Sequence, residues 1–319
     1  MMKIGLRTLK TVVSATLGIV IANYFGLMFP ATSGIVAILS VTNTKKSSFK
    51  IGIGRLVAFV VATLIALFTY HLLGYTALAF GLFLLLFIPI AAKWQMPEAI
   101  PVNSVLMTHF LNEQSMSPYL IANAFFLLLI GVSLALVANL YMPNKEAAIL
   151  ENKVQVDETI QLLLKQLGEL LMSPHQTLKC DDLFKELSQE IKQGRTLAKQ
   201  DLENKLLNQD SYLLNYFNMR KHQFNTLEDM YQLIQHIRVE EDIAMIVNEL
   251  LIDISKSYSE ANDALGLKQQ VLDVFQIYEL KPLPTSRVEF ENRAKLYQLL
   301  LTIQSFIDIK VNFFELNQK

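Results

Sequence analysis

Three ionisable side chains stand out in the first 142 residues because long apolar stretches surround them: Arg55, Glu98 and His109. The guanidinium of Arg55 can hold a carboxylate through two parallel hydrogen bonds. Glu98 and His109 can take up and release protons, which makes both of them candidates for proton coupling. Charges inside a bilayer are costly, so such groups are candidate functional residues. Plainer interpretations stay open: an interface anchor for Arg55, a charge at a helix start for Glu98, and an external-interface histidine for His109.

Four uncharged residues complete the candidate substrate site. Pro30, Thr32 and Ser33 begin an apolar segment, and a helix that starts inside a cavity offers backbone N–H groups to an anion. Many transporters place broken helices at their substrate sites. Asn103 lies within a weakly apolar segment and is a further candidate substrate contact. Pro30 also fits an ordinary first-turn proline, so the structural interpretation stays open as well.

The sequence lacks the motifs of several enzyme classes. It contains no Gly-x-x-x-x-Gly-Lys-Ser/Thr, no Gly-x-Ser-x-Gly and no His-Glu-x-x-His. Cys180 is the single cysteine, so neither an intrachain disulfide nor a thiolate metal site can form. We therefore expect no catalytic residues, no cofactor and no metal. The acidic second half argues against nucleic-acid binding, which needs a basic surface.

The elements that would position these residues are hydrophobic segments of the length that a bilayer requires. A spanning helix needs about 20 mostly apolar residues. Six candidates occur in the first 142 residues, of which the second and fourth are short and the fifth is the weakest: 6–25, 27–43, 52–73, 75–92, 99–112 and 118–142. Because the first run is long and more hydrophobic segments follow, we expect it to be a span and not a cleaved signal peptide.

The orientation follows from the charges between these segments. With the N-terminus inside, all nine Lys and Arg of the first 150 residues lie on the cytoplasmic side, and the external turns near 24–29, 73–75 and 113–117 hold none. We therefore predict a multi-pass protein of the bacterial cell membrane with both termini in the cytoplasm.

The second half has a different pattern. Residues 151–319 contain 19 basic and 26 acidic residues, arranged as amphipathic stripes with helical spacing. The clearest stripe ends the chain: Leu296, Leu300, Ile303, Ile307, Val311 and Phe314. Ser286 and Glu289, with capping-box spacing, precede it. The predicted fold class is all-α: a six-helix transmembrane bundle over residues 1–145, then a soluble antiparallel bundle of five or six helices over residues 146–319.

Small residues recur every four positions in two predicted spans, and such ridges let helix backbones approach closely. Ser14, Gly18 and Ala22 lie on one face of the first span, and Gly54, Ala58, Ala62 and Ala66 on one face of the third. These ridges fit packing within one chain or an interface between subunits.

Two segments carry a resemblance to a known family. Residues 30–55 run from Pro30 through small and apolar residues to a Thr/Ser turn, a basic loop and Gly-Ile-Gly-Arg55. This resembles the aromatic acid exporter family, also grouped with fusaric acid resistance-type exporters. The family usually has a glycine three residues after that arginine, where this chain has Ala58. The segment Tyr216-Phe-Asn-Met-Arg-Lys-His-Gln223 resembles part of the cytoplasmic domain of the Gram-positive branch.

The resemblance implies a half-size module that pairs with itself in the lipid bilayer as a homo-oligomer. It also implies export of small amphiphilic aromatic acids, driven by the proton gradient. An alternative is a membrane-anchored interaction or sensory protein that acts through its cytoplasmic helical domain. Six spans are more than an anchor needs, which favours transport.

Overall fold

The computed structural model describes residues 5–173, 177–205, 210–238, 241–257 and 264–317. Within these ranges all regular secondary structure is helical, as the periodicity predicted. The chain divides into two compact units. Residues up to Pro143, with a short stretch that begins at Glu203, form the first unit; Asn144–Leu202 and the residues from Asp210 onward form the second.

The first unit contains six helices at the places of the six predicted segments. They are α1 (Leu6–Tyr24), α2 (Ala31–Ser40), α3 (Lys45–Leu73), α4 (Ala77–Lys93), α5 (Ile100–Glu113) and α6 (Pro118–Leu140), and a 3₁₀ turn at Pro97–Ala99 precedes α5. The helix α3 begins seven residues earlier than predicted, because the Thr44 hydroxyl accepts a hydrogen bond from the Ser47 N–H and caps a polar first turn.

Two of these helices, α3 and α6, are long and apolar enough to cross a membrane by themselves. The apolar helices α2 and α4 are shorter, at 10 and 17 residues. At about 1.5 Å per residue, α2 is about 15 Å long, half of a bilayer core of about 30 Å. The arrangement of six spans therefore stays a prediction, although the six helices are present.

The first small-residue ridge packs within the chain. Ser14, Gly18 and Ala22 are buried, and a Cβ added to Gly18 would lie 3.3 Å from the Ser33 carbonyl oxygen of α2. A Cβ on Gly131 of α6 would lie 2.6 Å from the same oxygen. The short helix α2 is thus held between α1 and α6 at distances that only small residues permit.

The ridge on α3 is buried as well, since Ala58, Ala62 and Ala66 are at most 3% exposed. The opposite face of α3 is exposed and entirely apolar from residue 51 to residue 68: Ile53, Val57, Val60, Leu64, Leu67 and Phe68. A contiguous exposed apolar face of this kind marks contact with lipid or with another protein.

The second unit contains α7 (Glu146–Met172), α8 (Thr177–Asn204), α9 (Tyr212–Gln235), α10 (Glu241–Ser257), α11 (Leu265–Glu279) and α12 (Arg287–Asn317). Two side-chain contacts show that α8 and α9 are antiparallel. Tyr231 bonds Asp181 while Arg195 bonds Asn218 across α8 and α9. The predicted helix breaks near 173–180 and 207–211 fall partly outside the described residues, and the break near 281–285 separates α11 from α12.

Candidate functional site

The first polar cluster of the first unit, the Arg55 cluster, lies at the C-terminal end of α2. The Arg55 side chain is 2% exposed. Its Nη2 donates to the Leu39 carbonyl at 2.8 Å, its Nη1 donates to the Ser40 hydroxyl, and its Nε donates to the Glu98 carbonyl at 3.2 Å. Carbonyl groups at a helix C-terminus lack intrahelical partners, and a cation there also offsets the helix dipole. Arg55 therefore caps α2.

Asn103 of α5 extends this cluster. Its Nδ2 donates to the backbone oxygens of Arg55 at 3.3 Å and Ala99 at 3.0 Å. Its Oδ1 is buried and has no hydrogen-bond partner among the described residues. Because an unpaired buried acceptor is unfavourable, this oxygen is a position where a ligand or proton donor would be stabilised.

The second polar cluster, the His109 cluster, lies at the opposite end of α2. His109 of α5 is buried, and its Nε2 forms a 3.0 Å hydrogen bond with the Thr32 hydroxyl. The Phe29 ring stacks on the imidazole with a centroid distance of 4.3 Å. The other ring nitrogen, Nδ1, is buried without a partner among the described residues. In the tautomer in which Nε2 donates to the Thr32 hydroxyl, Nδ1 can accept a proton while that hydrogen bond is kept.

The chain enters this cluster through a strained residue. Phe29 has φ = +61°, in the left-handed region that bulky residues rarely adopt. Asn123 of α6 holds the preceding residue, since its amide accepts from the Met28 N–H at 2.8 Å and donates to the Met28 carbonyl at 3.0 Å. Such strain costs about 1–3 kcal/mol and persists only where the surroundings impose it.

The backbone N–H groups at the start of α2 have more hydrogen-bond partners than the sequence suggested. The backbone N–H of Thr32 donates to the Phe29 carbonyl, and that of Ser33 donates to the Pro30 carbonyl. The Ser33 hydroxyl also donates to the Pro30 carbonyl, at 2.9 Å. In this state, therefore, both N–H groups already have acceptors.

Glu98 has a separate position. Its backbone carbonyl bonds Arg55, but its side chain is exposed and lines a cavity of about 540 Å³. Lys50, Trp94 and Met96 also line this cavity, which we call the Lys50 groove. The groove combines apolar walls with a tryptophan, one lysine and one glutamate.

The predicted site residues thus fall into three places. Arg55 and Asn103 meet at one end of α2, Thr32 and His109 meet at the other with Pro30 and Ser33 beside them, and the Glu98 side chain lies in the groove. The sequence reasoning missed Ser40, Phe29, Asn123 and Lys50. The contact of Ser40 could have been predicted, because a serine hydroxyl in a helix can donate to the carbonyl four residues earlier. The Ser40 hydroxyl does donate to the Val36 carbonyl, at 2.6 Å.

Comparison with known proteins gives consistent matches for both units. Residues 2–142 match the family described as "Aromatic acid exporter family member 1". Residues 146–311 match the one described as "Putative aromatic acid exporter C-terminal domain".

Two curated relatives come from Bacillus subtilis (strain 168). The "Uncharacterized protein YqjA" is 29% identical over 313 residues, which cover 98% of this chain and 97% of that protein. The "UPF0421 protein YgaE" is 28% identical over 202 residues, which cover 61% of this chain and 56% of that protein.

Among solved structures, a "putative membrane protein from Clostridium difficile 630" is similar to 52% of this chain and 99% of its own, with a TM-score of 0.47 and 21% identity. The two family matches adjoin after residue 142 and together extend over nearly all of the sequence. The chain therefore belongs to the aromatic acid exporter family.

Proposed function

We propose that the chain is a proton-driven, multi-pass exporter of small amphiphilic aromatic carboxylic acids. The membership in a transporter family supports export. The observation that carries the mechanism is the placement of α2, a half-length helix with an ionisable side chain at each end: Arg55 at its C-terminus and His109 beside its N-terminus. Broken or short helices of this kind hold substrate and coupling ions in other transporters.

The proposed substrate path begins at the Lys50 groove. The predicted topology puts this groove on the cytoplasmic side, where Lys50 attracts a carboxylate and Trp94 offers a surface for an aromatic ring. A carboxylate that reaches Arg55 competes with neutral acceptors, the Leu39 carbonyl and the Ser40 hydroxyl. A carboxylate can accept two parallel hydrogen bonds from the guanidinium and adds the attraction between opposite full charges, so the anion displaces the neutral acceptors and frees the end of α2.

The proposed proton path uses the other end of α2. A proton that enters from outside binds the free Nδ1 of His109, and Thr32, Ser33 and Pro30 line the passage beside it. Asn103, whose Oδ1 has no partner among the described residues, is the proposed further substrate contact beside Arg55. Glu98, exposed in the groove, is the proposed acceptor from which the proton leaves to the cytoplasm.

In this proposal the first unit is a membrane domain of six spans and the second is a cytoplasmic domain. Both small-residue ridges are buried within the chain, so we propose that a homo-oligomer forms through the exposed apolar faces instead. Cross-linking of the protein in native membranes, followed by mass measurement in mild detergent, tests this. A monomer that transports at one copy per vesicle would exclude the oligomer.

Flux of a radiolabelled hydroxybenzoate into inside-out proteoliposomes tests the function. An acidic interior is expected to drive uptake, and a protonophore is expected to abolish it. The absence of flux across a panel of aromatic acids would favour the alternative, a membrane-anchored sensory or interaction protein.

The variant Arg55→Lys tests the assigned role of Arg55. A lysine keeps the charge, but a single ammonium cannot reach the three acceptors that the guanidinium contacts. We expect flux to fall about ten- to hundredfold, which corresponds to about 1.5–3 kcal/mol for hydrogen bonds to a charged group. Arg7→Lys, at an exposed position of α1, is the matched control. Equal flux in wild type and Arg55→Lys at matched expression would show that Arg55 is not part of the substrate site.

A further inference from the structure

The loop between α1 and α2, residues 25–30, contains two residues with a left-handed backbone. Gly26 has φ = +64°, and a Cβ added there would meet nothing within 4 Å. Phe29 has φ = +61°, although it is bulky and precedes Pro30. A residue before a proline favours an extended backbone, so the conformation of Phe29 persists only because its surroundings impose it. The loop is therefore held in an unfavourable conformation at one residue.

The side chain of Asn123 on α6 supplies the hydrogen bonds that hold the centre of this loop. Its Oδ1 accepts from the Met28 N–H at 2.8 Å, and its Nδ2 donates to the Met28 carbonyl at 3.0 Å. Asn123 is 3% exposed and lies within a helix, so its amide is a fixed partner. Because both hydrogen bonds use the backbone of Met28, they set the direction in which the chain enters Phe29. Loss of this one amide would let Phe29 relax to an extended conformation.

The ring of Phe29 shields the imidazole of His109. The two ring centroids are 4.3 Å apart, and the ring planes differ by 25°. Phe29 is partly exposed, whereas His109 is 6% exposed and its Nδ1 is buried without a partner among the described residues. Because the more exposed ring stacks on the more buried one, water reaches that face of the imidazole only when Phe29 moves.

We propose that residues 26–30 form a lid over His109, in which the Phe29 ring covers the imidazole and Asn123 holds the lid closed. When the lid opens, Met28 leaves the Asn123 amide, the Phe29 backbone leaves the left-handed region, and its ring moves off the imidazole. The cost of breaking the stack and the two hydrogen bonds is partly offset by the backbone strain that opening releases. This offset favours an open form that is populated as a minor state.

A fixed structural role for Phe29 explains this geometry less well. A rigid entry to α2 would be met by glycine or asparagine, which adopt positive φ with little strain. A ring that only fills space beside His109 needs no strained backbone. Strained residues cluster at switch regions and ligand clamps, and here the strained residue stacks on a buried ionisable group.

The proposal rests on the proposed function only for its consequence. If His109 accepts the transported proton, the lid controls when water and protons from the predicted outer side reach its Nδ1. The lid itself depends only on contacts within the first unit, so its test is the accessibility of His109 and not flux.

Chemical modification of His109 in the full chain tests the lid. The probe is diethyl pyrocarbonate, which acylates an unprotonated imidazole nitrogen, and mass spectrometry measures the rate at each histidine. The protein is held in lipid nanodiscs at a single pH, and His71, at the exposed end of α3, is the internal reference. In wild type we expect His109 to react about 10- to 1000-fold more slowly than His71, as for an open form populated at about 0.1–10%.

Two variants separate the parts of the lid. Asn123→Ala removes both hydrogen bonds to Met28 but leaves the Phe29 ring in the chain. We expect the rate at His109 to rise about tenfold or more, as for two lost hydrogen bonds. Phe29→Ala keeps the backbone groups of Met28 that bond Asn123 and removes the covering ring, so it is expected to raise the rate at least as much.

Asn139→Ala is the matched control. Asn139 is another buried asparagine of α6 that donates to a loop carbonyl, that of Thr42, about 24 Å along the helix from Asn123. This variant is expected to leave the rate at His109 unchanged. Thermal unfolding of each variant shows whether the first unit remains folded. If Asn123→Ala does not fold, Phe29→Ala alone decides, and an unchanged rate in that variant overturns the lid.

Four results would overturn the lid: equal rates at His109 and His71 in wild type, a His109 that never reacts while the protein stays folded, an unchanged rate in folded Asn123→Ala, or an equal rise in Asn139→Ala. Because the readout is modification and not flux, a protein that fails to transport can still confirm the lid. Conversely, a transporting protein in which both lid variants leave the rate at His109 unchanged refutes the lid alone.

Discussion

In the first unit, single basic side chains donate hydrogen bonds to carbonyl groups at the C-terminal ends of α2 and α6. Arg55 bonds the last carbonyls of α2, and the ammonium of Lys10 donates to the Tyr141 carbonyl after α6. In both cases a cation meets the negative end of a helix dipole. The sequence indicated that Arg55 was important through its type and apolar surroundings, but its acceptors are backbone oxygens of distant segments. No side-chain pattern specifies those.

At the same scale, His109→Gln separates proton coupling from packing. Glutamine can still bond the Thr32 hydroxyl but cannot take up a proton. We expect accumulation driven by a pH gradient to be lost, whereas exchange of substrate down its own gradient continues. Both are measured as flux in the same proteoliposomes. His71→Gln, at the exposed end of α3, is the control; normal gradient-driven accumulation by His109→Gln would exclude His109 from coupling.

Asp157→Asn is the corresponding prediction for the second unit. It leaves the Arg220 guanidinium buried without its counter-charge, which is expected to cost about 3–5 kcal/mol of stability. Calorimetry of the full chain in detergent measures the unfolding of this unit. Asp253→Asn is the control because its partner Lys256 is 3.8 Å away and both side chains are more than half exposed. It is expected to change stability by less than about 1 kcal/mol, and similar results for the two variants would contradict the assigned pairing.

In the first unit, the closest approach at a glycine is that of α6 to α2. Gly131→Ala would put a methyl group 2.6 Å from the Ser33 carbonyl oxygen and 2.6 Å from the Val36 Cβ, so α2 and α6 must separate. We expect a loss of about 1–3 kcal/mol or more in stability, together with reduced flux. The control variant is expected to change stability in the opposite direction. Gly81→Ala on α4 meets nothing within 4 Å, so it is expected to stabilise the helix by about 0.5–1 kcal/mol. Thermal unfolding of both variants in detergent decides between these expectations.

The helices themselves were largely predictable from the sequence. The segment 118–142 became Pro118–Leu140, because Ser117 caps its start and the apolar run defines its length. The capping signal before α12 is partly confirmed. The Ser286 hydroxyl accepts from the Glu289 N–H at 3.2 Å, but the Glu289 carboxylate bonds the Thr285 N–H. Each of these features depends on residues close together in the chain.

The candidate site was less predictable. The pairing of Thr32 with His109 joins residues 77 positions apart, and the contact of Arg55 with Glu98 uses a backbone carbonyl. Such contacts depend on how helices pack, which a single sequence specifies only weakly. The strained Phe29 could not be predicted either, since the residue before a proline usually adopts an extended conformation.

At the scale of the whole molecule, the distribution of Lys and Arg between the predicted spans leads to one topological prediction. A reporter that is active only in the cytoplasm, fused after Lys319, is expected to be active. The same reporter inserted at residue 115, in a predicted external turn, is expected to be silent. A periplasmic-type reporter that is active after Lys319 would contradict the orientation.

The Lys50 groove has an optical consequence. The chain contains one tryptophan, and Trp94 lies at this groove with half of its surface exposed. Indole fluorescence from the unlabelled protein therefore originates at a single place. Hydroxybenzoates that absorb in the range of indole emission would quench Trp94 when they enter the groove. Quenching of Trp94 fluorescence thus reports ligand binding in the groove, and Trp94→Phe, which lacks this fluorescence, is the control.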